Sequence, residues 1–327
     1  MDEPNMQLWE RMPLHEFRRI RARIQPYIRM TPLVPSEIEN VFLKLENLQH
    51  THAFKVRGAF ANVLELVAAG DKRKLLTVSA GNHGQAIARA ASVFSLPCTI
   101  VVPASAPKTK INAIKRYGVD LRIEGSNYDE AESLTLQLAE NKKEYAFISP
   151  YNDPLVILGQ GSLAFEILEQ LPETAIIVVP IGGGGLAAGL GTAMKQLRPG
   201  VRIIGVQTDV SAAIYHGLKA GHLGLVPDKP SIADGIAGNI DLQTITFPLI
   251  QKYVDDVVLV SEDEIRSAMD HLRDQEKLVA EGAAAAAFAV LLYRKVEIHG
   301  PAVALISGGN VDKEAYGGSN FESRQSI

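Results

Sequence analysis

Nine short runs of β-branched and aliphatic residues, at 41–45, 75–79, 99–102, 121–124, 146–149, 176–179, 203–207, 257–260 and 302–306, are mostly separated by segments with helical spacing of their apolar residues. Repeated β-α-β units of this kind force parallel pairing with helices on the sheet faces, so the expected fold is α/β with open, mainly parallel twisted sheets. Nine strands are many for one sheet, and the four between 75 and 149 form a compact block inside the series. That block reads as a smaller domain inserted into a larger one.

Composition narrows the partners. The 327 residues are 46% hydrophobic and 21% charged, and 33 basic against 37 acidic residues leave a net charge of -4. No cationic field is present to recruit nucleic acid or anionic lipid, so neither partner is expected. The single cysteine, Cys98, excludes an internal disulfide and fits a reducing compartment. Its apolar run, 97–102, suits a buried strand better than a reactive thiol. Met1-Asp2-Glu3-Pro4 carries acids where a secretory signal would be basic, so a cytoplasmic location is expected. The most apolar stretch, 282–293, is alanine-rich and shorter than the ~20 residues a bilayer requires, and it reads as a core helix. Residues 8–29 are amphipathic and helical in spacing, ending before Thr31-Pro32-Leu33, because the residue before proline is driven out of the α region.

Four motifs carry chemistry. Gly182-Gly183-Gly184-Gly185-Leu186 follows the run 176–179 and opens a helical segment, so successive backbone N–H groups and the helix N-terminus can converge on a phosphate. It is neither a G-x-G-x-x-G fingerprint nor a P-loop, and taken alone it is also compatible with a packing turn. Ser79-Ala80-Gly81-Asn82-His83-Gly84 joins another strand to a helix and offers donors suited to a carboxylate; Ser79 or Asn82 could equally be a simple helix cap. Ser307-Gly308-Gly309-Asn310 follows the run 302–306 at the same end of the sheet, where ligands bind in open α/β folds. Lys55 stands between Phe54 and apolar residues where an extended segment gives way to a helix, a setting that desolvates an amine and lowers its pKa, although a surface lysine would leave the same local trace. His50 and His52 share a strand face, but two histidines make an incomplete metal site; no metal is expected.

In this order, over nearly the whole chain, the four motifs resemble the fold-type II pyridoxal-5′-phosphate (PLP) enzymes, whose fold is tryptophan synthase β-like, and specifically the branch of threonine/serine dehydratases and serine racemase. The resemblance implies that Lys55, after Phe54, is the Schiff-base lysine and catalytic base. It implies that Asn82 meets the 3′-oxygen of the cofactor, that Gly182, Gly183, Gly184, Gly185 and Leu186 hold its phosphate, and that Ser307 faces the pyridine nitrogen. Ser79, Ala80, Gly81 and His83 would meet the substrate. A serine at the pyridine nitrogen leaves that nitrogen largely unprotonated, which favours rapid loss of a β-hydroxyl. The implied activity is an ammonia-lyase that converts a small L-β-hydroxy amino acid, threonine- or serine-like, to a 2-oxo acid and ammonia.

Racemisation is the nearest alternative, and it needs an acid/base group on the second face. Racemases of the family place a serine where this chain has Ala80, while Glu281-Gly282-Ala283-Ala284 resembles the dehydratase E-G-A-G stretch. Phenylserine or hydroxyaspartate are alternative substrates, and a β-replacement synthase or a non-catalytic PLP carrier are alternatives of other classes. His52 and Ala53 replace the usual glycine and serine, and His52 is expected to shape the mouth of the site. Gln207 and Ala213 stand at the cation-site positions of serine racemase, so no activation by Mg²⁺ through that site is expected. Only 17 residues follow Asn310, so the C-terminal regulatory domain of biosynthetic threonine dehydratases is not expected. The expected architecture is a large domain from 1–72 and 148–327 and a small movable domain from 73–147, with PLP in the cleft between them and a homodimer as the assembly.

Overall fold

The computed structural model describes residues 12–311 apart from 142 and 228. Residues 8–11 of the expected first helix, and the segment after 311, lie outside that range. Ten strands are present among the described residues: β1 (Leu33–Pro35), β2 (Val41–Leu45), β3 (Lys74–Val78), β4 (Cys98–Val102), β5 (Asp120–Ile123), β6 (Tyr145–Phe147), β7 (Ile176–Pro180), β8 (Arg202–Thr208), β9 (Asp256–Val260) and β10 (Ala302–Ile306). They form two sheets, a six-stranded one in the order β1-β2-β10-β7-β8-β9 and a four-stranded one in the order β5-β4-β3-β6. Every pairing is parallel except β1 with β2. All nine expected strands are therefore present, with ends shifted by a residue or two. The tenth, β1, is three residues long and ends in proline, too short to show a period and confined to a sheet edge because proline cannot donate to a ladder. The first helix is Leu14–Ile24, followed by a 3₁₀ turn at Gln25–Tyr27.

Side chains of the large sheet alternate between two cores, as a period of two requires. On β10, Val303 and Leu305 join one core while Ala302, Ala304 and Ile306 join the other; on β7, Ile177 and Val179 oppose Ile176 and Val178. The alanine face of β10 receives helix Gly282–Leu292, whose residues 282–291 are all buried because helix Glu262–Asp274 covers its other side. A helix that is apolar all round is stable only in such a sandwich.

On the opposite face, helices Pro154–Gln170 and Gly185–Leu197 cross in backbone contact. A Cβ on Gly189 would stand 2.2 Å from the Ile157 carbonyl oxygen, so no other residue fits at that crossing. In the small sheet β3 is central, and helix Asn82–Phe94, which follows it, packs on helix Val56–Ala68. Cys98 is buried in β4, and burial pushes its thiol up to about 12, the behaviour of an inert strand residue.

Candidate active site

The segment before helix Val56–Ala68 is tied to the loop that follows β10. Ala53 and Gly308 form an isolated antiparallel bridge; the Phe54 N–H donates to the Ser307 carbonyl at 3.0 Å, and the Gly309 N–H to the His52 carbonyl at 2.9 Å. This pairing fixes Lys55 at the mouth of the helix, where its Nζ donates to the Pro150 carbonyl at 2.8 Å. Burial pulls the amine down to about 8, against the opposing pull of the Glu281 carboxylate. About a tenth of the amine is therefore unprotonated at pH 7, far more than for an ordinary lysine.

From the small sheet, the loop after β3 reaches the same place. Ser79 Oγ accepts the Gly81 N–H at 3.1 Å, and a Cβ on Gly84 would sit 2.2 Å from the Ser79 carbonyl oxygen, so the turn closes tightly on itself. Asn82 Nδ2 donates to Glu281 Oε1 at 2.7 Å, and Asn82 Oδ1 accepts from Asn310 Nδ2 at 2.7 Å. Asn310 also donates from Nδ2 to the Thr51 carbonyl at 2.8 Å and from its N–H to Glu281 Oε2 at 3.2 Å. Four segments remote in sequence thus meet around one carboxyl group. Glu281 is pushed up to about 7, first by burial and then by Asp234, while its bonds to Asn82 and Asn310 act the other way.

His83 is 2% exposed, with Nε2 3.2 Å from the Ile148 carbonyl oxygen. A carbonyl only accepts, which assigns the proton to Nε2 and leaves Nδ1, buried and without a protein partner, as an acceptor. Burial, and secondarily the Lys55 charge, depress the imidazole to about 3. It is a neutral group at any ordinary pH, so its side chain brings no positive charge to a substrate carboxylate.

The glycine loop is shaped by its neighbours. A Cβ on Gly183 would lie 2.3 Å from the Tyr151 ring, and one on Gly182 2.8 Å from the Gly235 carbonyl oxygen; Gly184 has φ +88°. Thr246 Oγ1 donates to the Gly183 carbonyl at 2.8 Å, orienting the peptide units. Among the described residues the N–H groups of Gly183, Gly184, Gly185 and Leu186 meet no backbone acceptor, and they stand at the N-terminus of the 13-residue helix Gly185–Leu197. Such a cradle suits a phosphate. Tyr151, which walls it, directly follows Pro150, the acceptor of the Lys55 amine.

The structure therefore links Lys55, Phe54, Asn82, His83 and Ser307 through hydrogen bonds and charge interactions where loops of the two sheets meet, and the glycine loop adjoins them through Tyr151. Ser79, Ala80 and Gly81 form the half-buried rim of this junction on the small-sheet side. Two residues outside the expected set also belong to it. Glu281 carried a sequence signal, a lone acid inside the apolar run 278–292, whereas Tyr151 carried none. Among the described residues no group of three or more His, Cys, Asp and Glu is placed to hold a metal. Gln207 instead serves the fold, donating to the Ile181 carbonyl and accepting the Tyr215 N–H.

A family model described as pyridoxal-phosphate dependent enzyme matches residues 24–308. The chain is 44% identical over 273 residues to the L-threonine ammonia-lyase of Thermotoga maritima, covering 83% of this chain and 67% of that one. Among solved structures it is similar to a threonine deaminase from T.th., with a TM-score of 0.84, 33% identity and coverage of 91% and 98% of the two chains. Maize serine racemase is similar with a TM-score of 0.86, 31% identity and coverage of 93% and 95%.

Proposed function

The chain belongs to the family of pyridoxal-phosphate dependent enzymes, and from that premise we propose that it is an ammonia-lyase whose cofactor is carried on Lys55 and whose substrate is a small L-β-hydroxy amino acid of the threonine/serine type. The observation that carries the assignment of Lys55 is its desolvated amine, held by the Pro150 carbonyl beside the tetraglycine cradle. The donor set fits the cofactor: four N–H groups for a phosphate, an amine for an aldehyde, and Asn82 and Ser307 for the ring. When bound, pyridoxal phosphate supplies an electron sink for the charge left at the substrate Cα.

The rest falls to the protein. Lys55, poised near neutral pH, is suited to take the Cα proton once its amine is free. The N–H groups and Ser79 hydroxyl of the β3 loop receive the substrate carboxylate, with His83 contributing through its backbone while its neutral ring anchors the loop to Ile148. Asn82 and Glu281 hold the loops of the two sheets together across the cleft. Movement of residues 73–147 against 1–72 and 148–327 would close that loop over the substrate and exclude water. The products are a 2-oxo acid and ammonia; the water lost in elimination returns in hydrolysis.

Ala80 offers no hydroxyl for a second proton transfer, which disfavours the racemase alternative. A homodimer in the cytoplasm is part of the same proposal, supported by the family likeness and by the lone, buried cysteine, and sedimentation velocity tests the assembly. The deciding experiment is borohydride trapping with peptide mapping, followed by a panel of β-hydroxy amino acids, both enantiomers of each, assayed for 2-oxo acid and ammonia. Label on Lys55 and turnover of an L-isomer are expected; label on another residue, or racemisation without ammonia, would overturn the assignment.

A further inference from the structure

Two residues beyond Lys55, Arg57 is fully buried and grips two carboxylates from distant parts of the chain. Its Nε and Nη2 donate to Glu46 Oε2 and Oε1 at 2.7 and 2.8 Å, and its Nη1 and Nη2 donate to Glu166 Oε1 and Oε2 at 2.7 and 2.9 Å. Lys44 Nζ completes the set, donating to Glu166 Oε2 at 2.8 Å and to the Thr31 carbonyl at 2.7 Å. The two cations and two anions balance, and none of the four residues is more than 4% exposed. Burying four charges costs more desolvation than an apolar cluster of the same volume would, so stability alone is a poor reason for them. What a bidentate guanidinium supplies is fixed geometry.

The elements tied together are those that set the lysine amine. Helix Val56–Ala68 begins at Lys55, and helix Pro154–Gln170 begins just after Pro150, whose carbonyl receives the amine. The two helices touch through glycines: a Cβ on Gly58 would stand 2.5 Å from Gln160 Nε2, and one on Gly159 2.5 Å from the Arg57 carbonyl oxygen. Smooth glycine surfaces permit sliding, and the Arg57–Glu166 fork spans that contact.

We propose that Arg57 is a positioning residue for Lys55, locking the crossing of these two helices so that the lysine amine is held against the Pro150 carbonyl inside the site. Its catalytic consequence rests on Lys55 being the cofactor-bearing amine; its structural content does not, and is measurable on cofactor-free protein. Lys55 is labelled by pulsed reductive methylation across pH and read by mass spectrometry in the wild type, in Arg57→Lys and in the charge-balanced pair Arg57→Met/Glu46→Gln. Glu281, the ionisable group whose charge acts on the amine, is the same in all three.

In the pair, the labelling midpoint of Lys55 is expected to rise by about one pH unit or more toward that of surface lysines. Added pyridoxal phosphate should form its imine about tenfold or more slowly and bind more weakly, because a misplaced amine meets the aldehyde less often in a productive geometry. Arg57→Lys, which keeps the charge and loses the fork, should fall between. An unchanged Lys55 midpoint together with unchanged cofactor affinity, in a variant whose unfolding midpoint has dropped, would show a merely structural role and overturn the proposal. Should the pair fail to fold, Arg57→Lys decides by the same two readings. A wild-type protein that takes up the cofactor on some other residue would sink the proposed function instead, and the labelling comparison would still stand.

Discussion

The Asn82 amide donates to the Glu281 carboxylate at 2.7 Å, joining residues 199 positions apart and the two sheets on which they sit. Asn82 opens the helix behind β3 and Glu281 immediately precedes the alanine-rich helix of the large sheet. Their bond joins the two sheets near the Lys55 amine, on which the Glu281 charge acts, so the state of one buried carboxyl is coupled to how the two sheets meet.

That coupling has a pH signature. Glu281 sits at about 7, raised from 4.5 by burial. Between those values the unfolded chain ionises there and the folded chain does not, so the cofactor-free protein loses stability as pH rises through the window and loses no more above it. Glu281→Gln should remove this slope and leave the variant the more stable at pH 8, by up to about 3 kcal/mol. Urea unfolding at pH 5 and pH 8 measures it; parallel behaviour of the two proteins would refute the buried-acid description.

His83 gives the opposite trend. Its imidazole is depressed from 6.5 to about 3, so below 6.5 the unfolded chain binds a proton that the folded chain refuses, and stability falls with falling pH. Nitrogen-15 NMR should find the neutral, Nε2-protonated tautomer from pH 5 to pH 9. A His83 resonance titrating near 6.5 would contradict the geometry at Ile148.

The glycine cradle predicts a steric result. Gly184→Ala places a Cβ 2.6 Å from Ile250 Cδ1 and 2.9 Å from Thr246 Oγ1, at a φ of +88°. A destabilisation of about 1–3 kcal/mol is expected from overpacking and left-handed strain together. Pyridoxal phosphate affinity, followed by fluorescence titration, should fall with it; affinity equal to wild type would remove the loop from the cofactor site.

His52 is exposed, with φ +54°, a conformation that costs a side-chain-bearing residue about 1–2 kcal/mol. His52→Gly relieves that strain while adding freedom to the unfolded chain, so the net stability change should be small. The informative readout is the substrate panel. If the imidazole shapes the mouth of the site, the ratio of activities on bulky and small β-hydroxy amino acids shifts toward the bulky ones; an identical profile would leave His52 without a role in selection.

Removing the amine of Lys55 should act in two directions at once. Lys55→Met is expected to lower turnover by about a thousandfold or more, with the base gone. Because the amine is held near 8 rather than 10.5, its cost to the fold grows as pH falls from 10.5 and is fully present below 8, so the cofactor-free variant should unfold at higher urea than wild type at pH 7. Activity within tenfold of wild type would exclude the lysine from the chemistry.

The linear chain by itself determined the α/β class, nine of the strands and the four loops of the candidate site, because period-two runs, glycine clusters and a Phe-Lys pair are local patterns. What only the tertiary structure decided is how those loops act on one another. Glu281 becomes a near-neutral acid because the fold buries it and brings Asp234 near, against its bonds to Asn82 and Asn310, and His83 is neutral because it is buried beside Lys55, with Ile148 fixing which nitrogen holds the proton. Lys55 is lowered because the fold buries its amine, in a place where Pro150, 95 residues away, accepts its hydrogen bond, and Tyr151 becomes a wall because Gly183 leaves room for its ring. Solvation and electrostatic coupling depend on every atom within several ångströms, and those neighbours are set by the fold rather than by adjacency in the chain.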